Sequence, residues 1–387
     1  MSRFRAGRGI AAIFVAKGIR TFCYGYLGIL LPLYLASLGL SATGVGAFVT
    51  ITLVASAALT WAVRAPAERL GARTTLVALA LLSVVAAGLL LATRDPWLVV
   101  VAAMLGNVAV GAGETGPFLS LEQVIIARVV EPARRTTLLS LYNLLGYGAA
   151  ALGAAAVIAG TPRALFTAFL AGALLQAAAY AALGPVSPAA RRPATAPGAT
   201  PVIRRIAALF ALDSFAGGFV LQSLVAYFLH ARFGLGLEAL GQIFFVAQVL
   251  TAASLLLAPP LARTFGLLPT MVGTHLVSNV FLIAIAAAPV PWVAVALLFA
   301  RQLLSQIDVP TRQSWVMSVV SDREREVAAT TTTLWRTAAQ SITPTLTGWV
   351  MQTISLSAPF VLGGALKIAY DLLLYRLFKD LESPDDT

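Results

Sequence analysis

The chain has 387 residues, of which 59% are hydrophobic and 11% are charged, and its mean hydropathy is +0.87. Soluble proteins carry about 25% charged residues, so this composition excludes a soluble enzyme and indicates a protein built from membrane spans. The net charge of +11 comes from basic residues placed between apolar runs, which favours a membrane over a nucleic acid as the partner. One cysteine, Cys23, and two histidines are too few for an intrachain disulfide or a soft-metal cluster, so no metal or cofactor is expected.

Apolar runs follow one another along the whole chain. The first resembles a signal peptide, but Lys17 and Arg20 interrupt its apolar part, which predicts an uncleaved span. A membrane-spanning helix needs about 20 apolar residues, whereas barrel strands are short and alternating. The sequence therefore predicts an all-α polytopic membrane protein with twelve transmembrane helices. The runs lie near 13–38, 44–64, 75–93, 97–127, 136–158, 164–185, 206–230, 238–259, 269–288, 292–319, 327–353 and 357–378.

The basic residues set the predicted orientation. If both termini are cytoplasmic, 17 of the 27 Lys and Arg residues fall in cytoplasmic segments. Only Arg94, Arg163 and Arg232 fall on the other side, and the rest lie within or at the edges of spans. Because cytoplasmic loops are enriched in Lys and Arg, we expect an integral protein of the cytoplasmic membrane with both termini inside.

A polar linker lies at the middle of the chain. The stretch from Ser187 to Pro201 is rich in Pro, Ala and Thr and cannot form a packed core. It predicts a six-span bundle over 1–185, a cytoplasmic linker over 186–203 and a second six-span bundle over 204–387.

The two halves show signs of an internal duplication. The segment 123–130 matches 313–320, which lies about half the chain length further on, and both segments end a span on the predicted cytoplasmic side. Arg20 and the two residues after it match the tripeptide that begins at Asp213, at nearly the same offset. Tyr34 matches Tyr227 as well, and a common offset near half the chain length indicates a parallel repeat.

The loop between spans 2 and 3 carries a recognisable motif. The residues Glu68, Arg69, Gly71 and Arg73 follow the pattern acid-Arg-x-Gly-x-Arg. With the two six-span halves, the central linker and the cytoplasmic termini, the chain resembles the major facilitator superfamily of secondary transporters. It departs from the family pattern in having Glu68 where Asp is usual, and its second-half counterpart, ending at Gly266, has lost the acid.

That resemblance implies several features. It implies two pseudo-symmetric six-helix bundles, with spans 1, 4, 7 and 10 lining a central cavity. The motif residues would form a conformational latch, although positive-inside topology alone also explains their charges. The glycine motif typical of antiporters is partly present on span 5, without its proline, which leaves the transport direction open; its glycines are Gly146, Gly148 and Gly153.

Charges inside membrane spans are costly, by about 2.5–3.5 kcal/mol on insertion scales, and are functional candidates. Here they concentrate on the spans that the resemblance places at the cavity. They are Arg20 on span 1, Glu114 and Glu122 on span 4, Asp213 on span 7, Arg301, Asp308 and Arg312 on span 10, and Arg336 on span 11. On span 10 the spacing of the three charges predicts one polar stripe if the helix is continuous past Pro310.

The repeat predicts how four of these charges pair. Arg20 aligns with Asp213 and Glu122 aligns with Arg312, so the signs are exchanged between equivalent positions of the two halves. We therefore expect two ion pairs within the bundles, Arg20 with Glu122 and Asp213 with Arg312.

The remaining four charges are candidates for the proton and substrate pathway. A carboxylate without a permanent partner in an apolar environment can load and release a proton, and Glu114 is the first candidate for that role and Asp308 the second. Both acids could instead be held in ion pairs. Arg301 and Arg336 could bind an anionic group of the substrate or balance the acids. Residues that could line the pathway, or simply pack or anchor the spans, are Tyr24, Tyr34, Asn107, Gln222, Tyr227, Trp315 and Trp335.

The leading functional hypothesis is a monomeric secondary transporter, not an enzyme, that moves a small organic or amphiphilic solute with protons, with export favoured. No Walker-type nucleotide loop is present to supply ATP drive. Proton-coupled uptake of a small anion or zwitterion is the alternative within the class. A lipid flippase and a membrane sensor that transports nothing remain as further alternatives.

Overall fold

The computed structural model of the protein describes residues 2–108, 116–129, 132–184, 200–320 and 325–379. Within these ranges the chain forms sixteen α-helices and no β-strand. The helices are α1 (Ser2–Ser37), α2 (Ala42–Ala62), α3 (Arg64–Arg69), α4 (Ala72–Ala92), α5 (Pro96–Leu105), α6 (Pro117–Val129), α7 (Pro132–Ala156), α8 (Pro162–Ala181), α9 (Pro201–Gly218), α10 (Gln222–Phe233), α11 (Leu237–Phe265), α12 (Leu267–Ala286), α13 (Pro291–Ser305), α14 (Asp308–Val319), α15 (Arg325–Thr353) and α16 (Ala358–Phe378).

The predicted all-α membrane fold is confirmed. Nine helical segments of 20 to 33 residues within the described ranges are long and apolar enough to cross a membrane. The three other predicted runs contain α5 with α6, α7 and α15, and residues 109–115 between α5 and α6 lie outside the described part of the chain. The total of twelve crossings stays a prediction.

Several helices begin at a side chain that accepts hydrogen bonds from the first free backbone amides. Asp95 accepts from the amides of Trp97 and Leu98 at the start of α5, at 2.9 and 3.0 Å. Ser41 and Thr161 do the same for α2 and α8. These caps satisfy amides that the helix itself cannot, and they set the points where the chain re-enters an apolar run.

Two equivalent glycines begin equivalent helices in the two halves of the sequence. Gly71 precedes α4 with a φ of 88°, and Gly266 precedes α12 with a φ of 84°. Residues with a Cβ adopt this left-handed region only at a cost. The two glycines lie about half the chain length apart and share the same backbone conformation, which supports the internal repeat that the sequence indicates.

Span 10 is interrupted. Helix α13 ends at Ser305 and α14 begins at Asp308, so Pro310 lies in the first turn of α14, where its missing amide leaves no hydrogen bond unmade. The single stripe predicted for Arg301, Asp308 and Arg312 assumed one continuous helix. The break lies between Arg301 and the other two charges, but the charge of Arg301 still interacts with that of Asp308, and the single stripe stays a prediction.

The chain divides into two compact units, of which the first comprises Met1–Arg191 with Gly234–Gln248. In this unit α1 packs against α7 and α8, and α4 packs against α5 and α8. Its core gathers buried side chains from α1, α4, α6, α7 and α8, among them Ile13, Leu76, Phe118, Tyr142 and Tyr180.

The second unit comprises Arg192–Phe233 with Val249–Thr387. Here α9 packs against α15 and α16, and α12 packs against α13, α14 and α16. Its core includes Ile206, Phe210, Trp315, Tyr370 and Leu374. Most of the predicted linker 186–203 lies outside the described residues, and the predicted bundles 1–185 and 204–387 stay a prediction.

Large apolar side chains are exposed on the helices while charged ones are buried. Leu256, Trp292 and Trp61 are 70%, 72% and 74% exposed, whereas Arg20 and Glu122 are 2% and 0% exposed. In a soluble protein, side chains as large and apolar as these are mostly buried. In a lipid bilayer these exposed apolar side chains contact apolar lipid tails. The buried charges are costly there and must be paired with other groups of the protein.

Candidate functional site

In the first unit a buried ion pair joins α1 to α6. Arg20 Nη2 lies 2.6 Å from Glu122 Oε2, and Arg20 Nη1 lies 3.2 Å from Glu122 Oε1. The guanidinium therefore engages the carboxylate through two parallel hydrogen bonds, which is the strongest geometry for this pair. These are the two residues that the repeat alignment pairs in this half of the chain.

Two tyrosines complete the surroundings of that carboxylate. The hydroxyl of Tyr142 on α7 donates to Glu122 Oε2 at 2.5 Å, and the hydroxyl of Tyr180 on α8 donates to Oε1 at 2.6 Å. The ring of Phe118 lies under the Arg20 guanidinium at 4.7 Å. The contacts of Glu122 therefore connect its own helix, α6, with α1, α7 and α8 around one fully paired charge. The two tyrosines were not among the site residues predicted from the sequence.

In the second unit the corresponding charges also meet. Arg312 Nη1 on α14 lies 3.3 Å from Asp213 Oδ2 on α9. The same nitrogen lies 2.9 Å from Asp308 Oδ2, one turn earlier on α14. Arg312 therefore bridges two buried acids, and Asp308, the second candidate for the proton carrier, is held in an ion pair in this structure.

Helices α12 and α16 extend this cluster with side chains that the sequence-based prediction did not include in the site. Lys367 Nζ lies 2.5 Å from Asp213 Oδ1, so Asp213 is paired with two cations. His275 Nδ1 lies 2.7 Å from Asp371 Oδ1, and Asn279 Nδ2 donates to Asp371 Oδ2 at 3.1 Å. The signal that could have revealed them is the placement of His275, Lys367 and Asp371 within apolar runs, where each polar group is costly.

Arg301 and Arg336 form no ion pair with a described carboxylate, although their charges act on Asp213 and Asp308 from a greater distance. Arg301 Nη1 donates to the neighbouring Gln302 Oε1 at 2.8 Å, and its Nε is buried without a hydrogen-bond acceptor there. Arg336 Nε donates to Ser214 Oγ at 3.0 Å. Since a guanidinium has five N–H donors, both side chains keep donors for an additional acceptor.

Glu114, the first candidate for the proton carrier, lies outside the residues that the structure describes. Next to that segment, Asn107 has a φ of 48°, and its buried side-chain amide finds no hydrogen-bond partner in the described part of the chain. A Cβ on Gly116 would lie 2.7 Å from Asn107 Nδ2, so the glycine at this position lets the backbone approach the amide closely.

The predicted latch loop connects α3 with α4. Glu68 and Arg69 are exposed, and over the described ranges neither forms an ion pair. Arg73 Nη2 donates to the carbonyl oxygen of Ala181, at the last residue of α8, at 2.5 Å. In this conformation the loop is attached to α8 through Arg73, and its acid is not engaged with a described residue.

The remaining candidates for the pathway lining differ in their surroundings. Tyr24 is buried and donates to the carbonyl oxygen of Gly106 at 3.1 Å. Trp315 is buried in the core of the second unit, with its ring edge-on to Phe378, whereas Trp335 is 44% exposed. Tyr34 packs edge-on against Phe166, and Gln222 and Tyr227 are partly buried on α10.

The family model that matches the chain is that of the Major Facilitator Superfamily, over residues 13–344. An uncharacterized membrane protein of Saccharomyces cerevisiae is 23% identical, with the alignment covering 98% of this chain and 96% of the yeast protein.

Solved structures of transporters share the fold. The nucleoside transporter NupG matches with a TM-score of 0.73 at 15% identity, over 96% of this chain and 99% of that one. A D-xylose-proton symporter matches with a TM-score of 0.72 at 15% identity, over 95% and 98%. The human organic anion transporter MFSD10 (TETRAN) matches with a TM-score of 0.67 at 15% identity, over 95% and 99%. At these identities the likeness establishes the fold alone.

Proposed function

Because the chain belongs to the Major Facilitator Superfamily, we propose that it is a secondary transporter that moves a small organic anion, amphiphilic anions included, by alternating access. In such a cycle rigid bundles rearrange around a site near the middle of the membrane. We further propose that the protein works as a monomer in the cytoplasmic membrane with both termini inside, and that it is not an enzyme.

The observation that carries the anionic substrate is the pairing of the buried charges in the second unit. Asp213 and Asp308 are bound by Arg312 and Lys367, while Arg301 and Arg336 have only neutral partners within the described chain. Arg301 and Arg336 are partly buried, and the two acids on which their charges act are already paired with other cations, so the charge of the two arginines is only partly compensated. A carboxylate, sulfonate or phosphate group of a solute would supply the missing charge and accept the free N–H donors.

The solved structure of a human organic anion transporter is among the fold matches. At 15% identity this does not extend to the residues of a binding site. It supports the proposal only to the extent that the fold accommodates anionic solutes.

We propose that protons drive the transport. A proton that crosses the membrane releases about 2.3 kcal/mol for every 100 mV of potential, and a buried acid that gains and loses a proton can couple this energy to the solute. Glu114 stays the first candidate for that acid. Asp308 is the weaker candidate because Arg312 already neutralises its carboxylate at 2.9 Å.

The test is solute flux into proteoliposomes that contain the purified protein. We expect radiolabelled benzoate, glucuronate or succinate to accumulate under an imposed pH gradient, and neutral or cationic solutes of the same size to stay at the level of empty liposomes. Reversing the gradient separates export from uptake, and we expect export.

Variants connect the flux to the residues. Because each removes a charged hydrogen-bond donor, Arg301→Gln and Arg336→Gln should each lower anion flux roughly tenfold or more, and Glu114→Gln should abolish the response to the pH gradient. Arg263→Gln is the matched control, since it removes an exposed arginine from α11. Equal flux of anions and neutral solutes would contradict the anionic substrate, and no flux of any solute would contradict transport.

A further inference from the structure

The imidazole of His275 lies between two buried carboxylates. Its Nδ1 is 2.7 Å from Asp371 Oδ1, and its Nε2 is 3.7 Å from Asp213 Oδ1. All three side chains are almost completely buried, with 5%, 0% and 5% exposure for His275, Asp371 and Asp213. Each ring nitrogen therefore faces a different acid in an environment without bulk water.

This geometry suits an imidazole that carries two protons. A neutral imidazole has one N–H donor and one acceptor nitrogen, so it can donate to only one of two carboxylates and turns a lone pair toward the other. An imidazolium donates from both nitrogens. It would convert the short contact with Asp371 into a charge-assisted hydrogen bond and the longer approach to Asp213 into an attraction.

The charges of the contiguous network point to the same state. Three carboxylates, those of Asp213, Asp308 and Asp371, are connected through contacts of 2.5 to 3.7 Å to the imidazole and to two permanent cations, Arg312 and Lys367. Among the groups joined by these contacts, a neutral imidazole leaves one more carboxylate than cation, and an imidazolium makes the numbers equal. Uncompensated charge is disfavoured in a medium of low dielectric constant.

No other described cation is in contact with Asp371 or with the imidazole. Asn279 Nδ2, a neutral group, lies 3.4 Å from His275 Nδ1. Tyr370 on α16 presents its ring edge-on to the imidazole at 6.0 Å. On α13 and α15, Arg301 and Arg336 hydrogen-bond to neutral partners and lie beyond ion-pair distance of the described acids. Their charges still act on Asp213 and Asp308, whereas the cations that act on Asp371 are His275 and Lys367. The acids nearest to the imidazole are therefore those of α9 and α16, and the balancing proton belongs to the imidazole or to Asp371.

The arrangement occurs in one half of the chain only. At the offset that relates Gly71 to Gly266, His275 corresponds to Ala80. At the offset that relates Tyr180 to Tyr370, Lys367 and Asp371 correspond to Ala177 and Ala181. The first unit packs without these groups, so the fold itself does not require them.

We propose that the His275–Asp371 pair is a proton-binding site, in which the imidazole binds and releases a proton between the carboxylates of Asp371 and Asp213. Histidine is the side chain suited to such exchange near neutral pH. The proposal rests on the proposed function only in assigning this proton to the transport cycle; the binding of the proton itself can be measured without a substrate.

The experiment is nitrogen NMR of the protein labelled with ¹⁵N-histidine and reconstituted in lipid bilayers. The chain has two histidines, and His230→Gln leaves His275 as the single source of signal. Ring nitrogens with and without a proton have separate resonances. We expect both nitrogens of His275 to be protonated at pH 6 and one of them to lose its proton by pH 9.

Two variants and the exposed His230 provide the controls. In Asp371→Asn, which removes one of the facing charges, we expect a neutral ring already at pH 6. Asp95→Asn removes an acid at the start of α5, keeps a residue type that caps helices well, and should leave the His275 spectrum unchanged. In the wild type, His230 reports the behaviour of an exposed histidine in the same sample.

Two results would overturn the proposal. A ring with one protonated nitrogen at every pH from 5 to 9 would make His275 a fixed hydrogen-bonding group. An imidazolium that persists at pH 9 would make it a permanent structural ion. Both results are obtained without solute flux, so they are separate from a failure of the proposed anion transport.

Discussion

At the scale of single residues, the charges inside this membrane protein are arranged as hydrogen-bonded clusters. Glu122 accepts from Arg20, Tyr142 and Tyr180, with every contact between 2.5 and 3.2 Å. Such a cluster stabilises the fold only as long as it is complete, because one missing partner leaves a buried charge uncompensated.

Replacing Glu122 by Gln tests the importance of this carboxylate for the first unit. The substitution keeps the shape of the side chain but removes the negative charge that faces the buried Arg20 guanidinium, and we expect the free energy of unfolding to fall by about 3–5 kcal/mol. Tyr142→Phe removes one hydrogen bond and should cost only about 1 kcal/mol. The measurement is denaturant unfolding of the purified protein in mixed micelles.

A double variant distinguishes charge balance from loss of packing. Arg20→Met combined with Glu122→Gln removes both charges, and it should be more stable than Glu122→Gln alone. A Glu122→Gln variant that is destabilised no more than Tyr142→Phe would show that the ion pair contributes little to this unit.

At the scale of helices, glycines decide how closely two helices approach. A Cβ on Gly153 of α7 would overlap the carbonyl oxygen of Phe22 on α1, and a Cβ on Gly25 of α1 would overlap that of Ala150 on α7. Small residues allow backbones in membranes to pack at short distance, where dispersion replaces the hydrophobic effect as the attraction. Close packing against α1 therefore explains why Gly153, one of the three glycines of the incomplete span 5 motif, is a glycine.

The substitution Gly153→Ala tests this approach. The added methyl group must push α1 and α7 apart, and overpacking of this kind costs about 1–3 kcal/mol. Gly148→Ala is the matched control on the same helix, because its Cβ would meet no atom within 4 Å and alanine favours a helix by about 0.5–1 kcal/mol. Thermal unfolding in detergent should show a lower midpoint for the first variant only, and equal midpoints would contradict close packing at Gly153.

At the scale of the whole molecule, orientation in the membrane is predicted from the basic residues alone. The asymmetry of Lys and Arg between loops is the argument for cytoplasmic termini. The predicted linker 186–203 and the exposed loop at Arg94, between α4 and α5, should then lie on opposite sides.

Single cysteines can test that orientation because the chain has only one of its own, the buried Cys23. In a Cys23→Ala background, Arg94→Cys should react with a membrane-impermeant maleimide in intact cells. Ala194→Cys in the linker should react only after the cells are permeabilised. The reverse pattern would place both termini outside and would invalidate the assignment of depth to the buried charges.

The sequence alone determined the class of fold and the candidate charges, since both depend on local properties. The length and composition of an apolar run are enough to identify it as a membrane span. A charged residue within such a run is identified from the same segment, because charges are rare there. The repeat offset also predicted which charges pair, although the members of each pair are separated in sequence by about a quarter of the chain length. The structure brings both predicted pairs into contact.

Only the tertiary structure decided which other groups join those charges. Lys367 and Asp371 are one helical turn apart in sequence, yet Lys367 reaches Asp213, 154 positions away, and Asp371 reaches His275. The break between α13 and α14 likewise interrupts the predicted span 10 between Arg301 and Asp308. The physical reason is that hydropathy and helical periodicity are properties of a segment, whereas the partner of a buried charge depends on how α9, α12, α14 and α16 pack together.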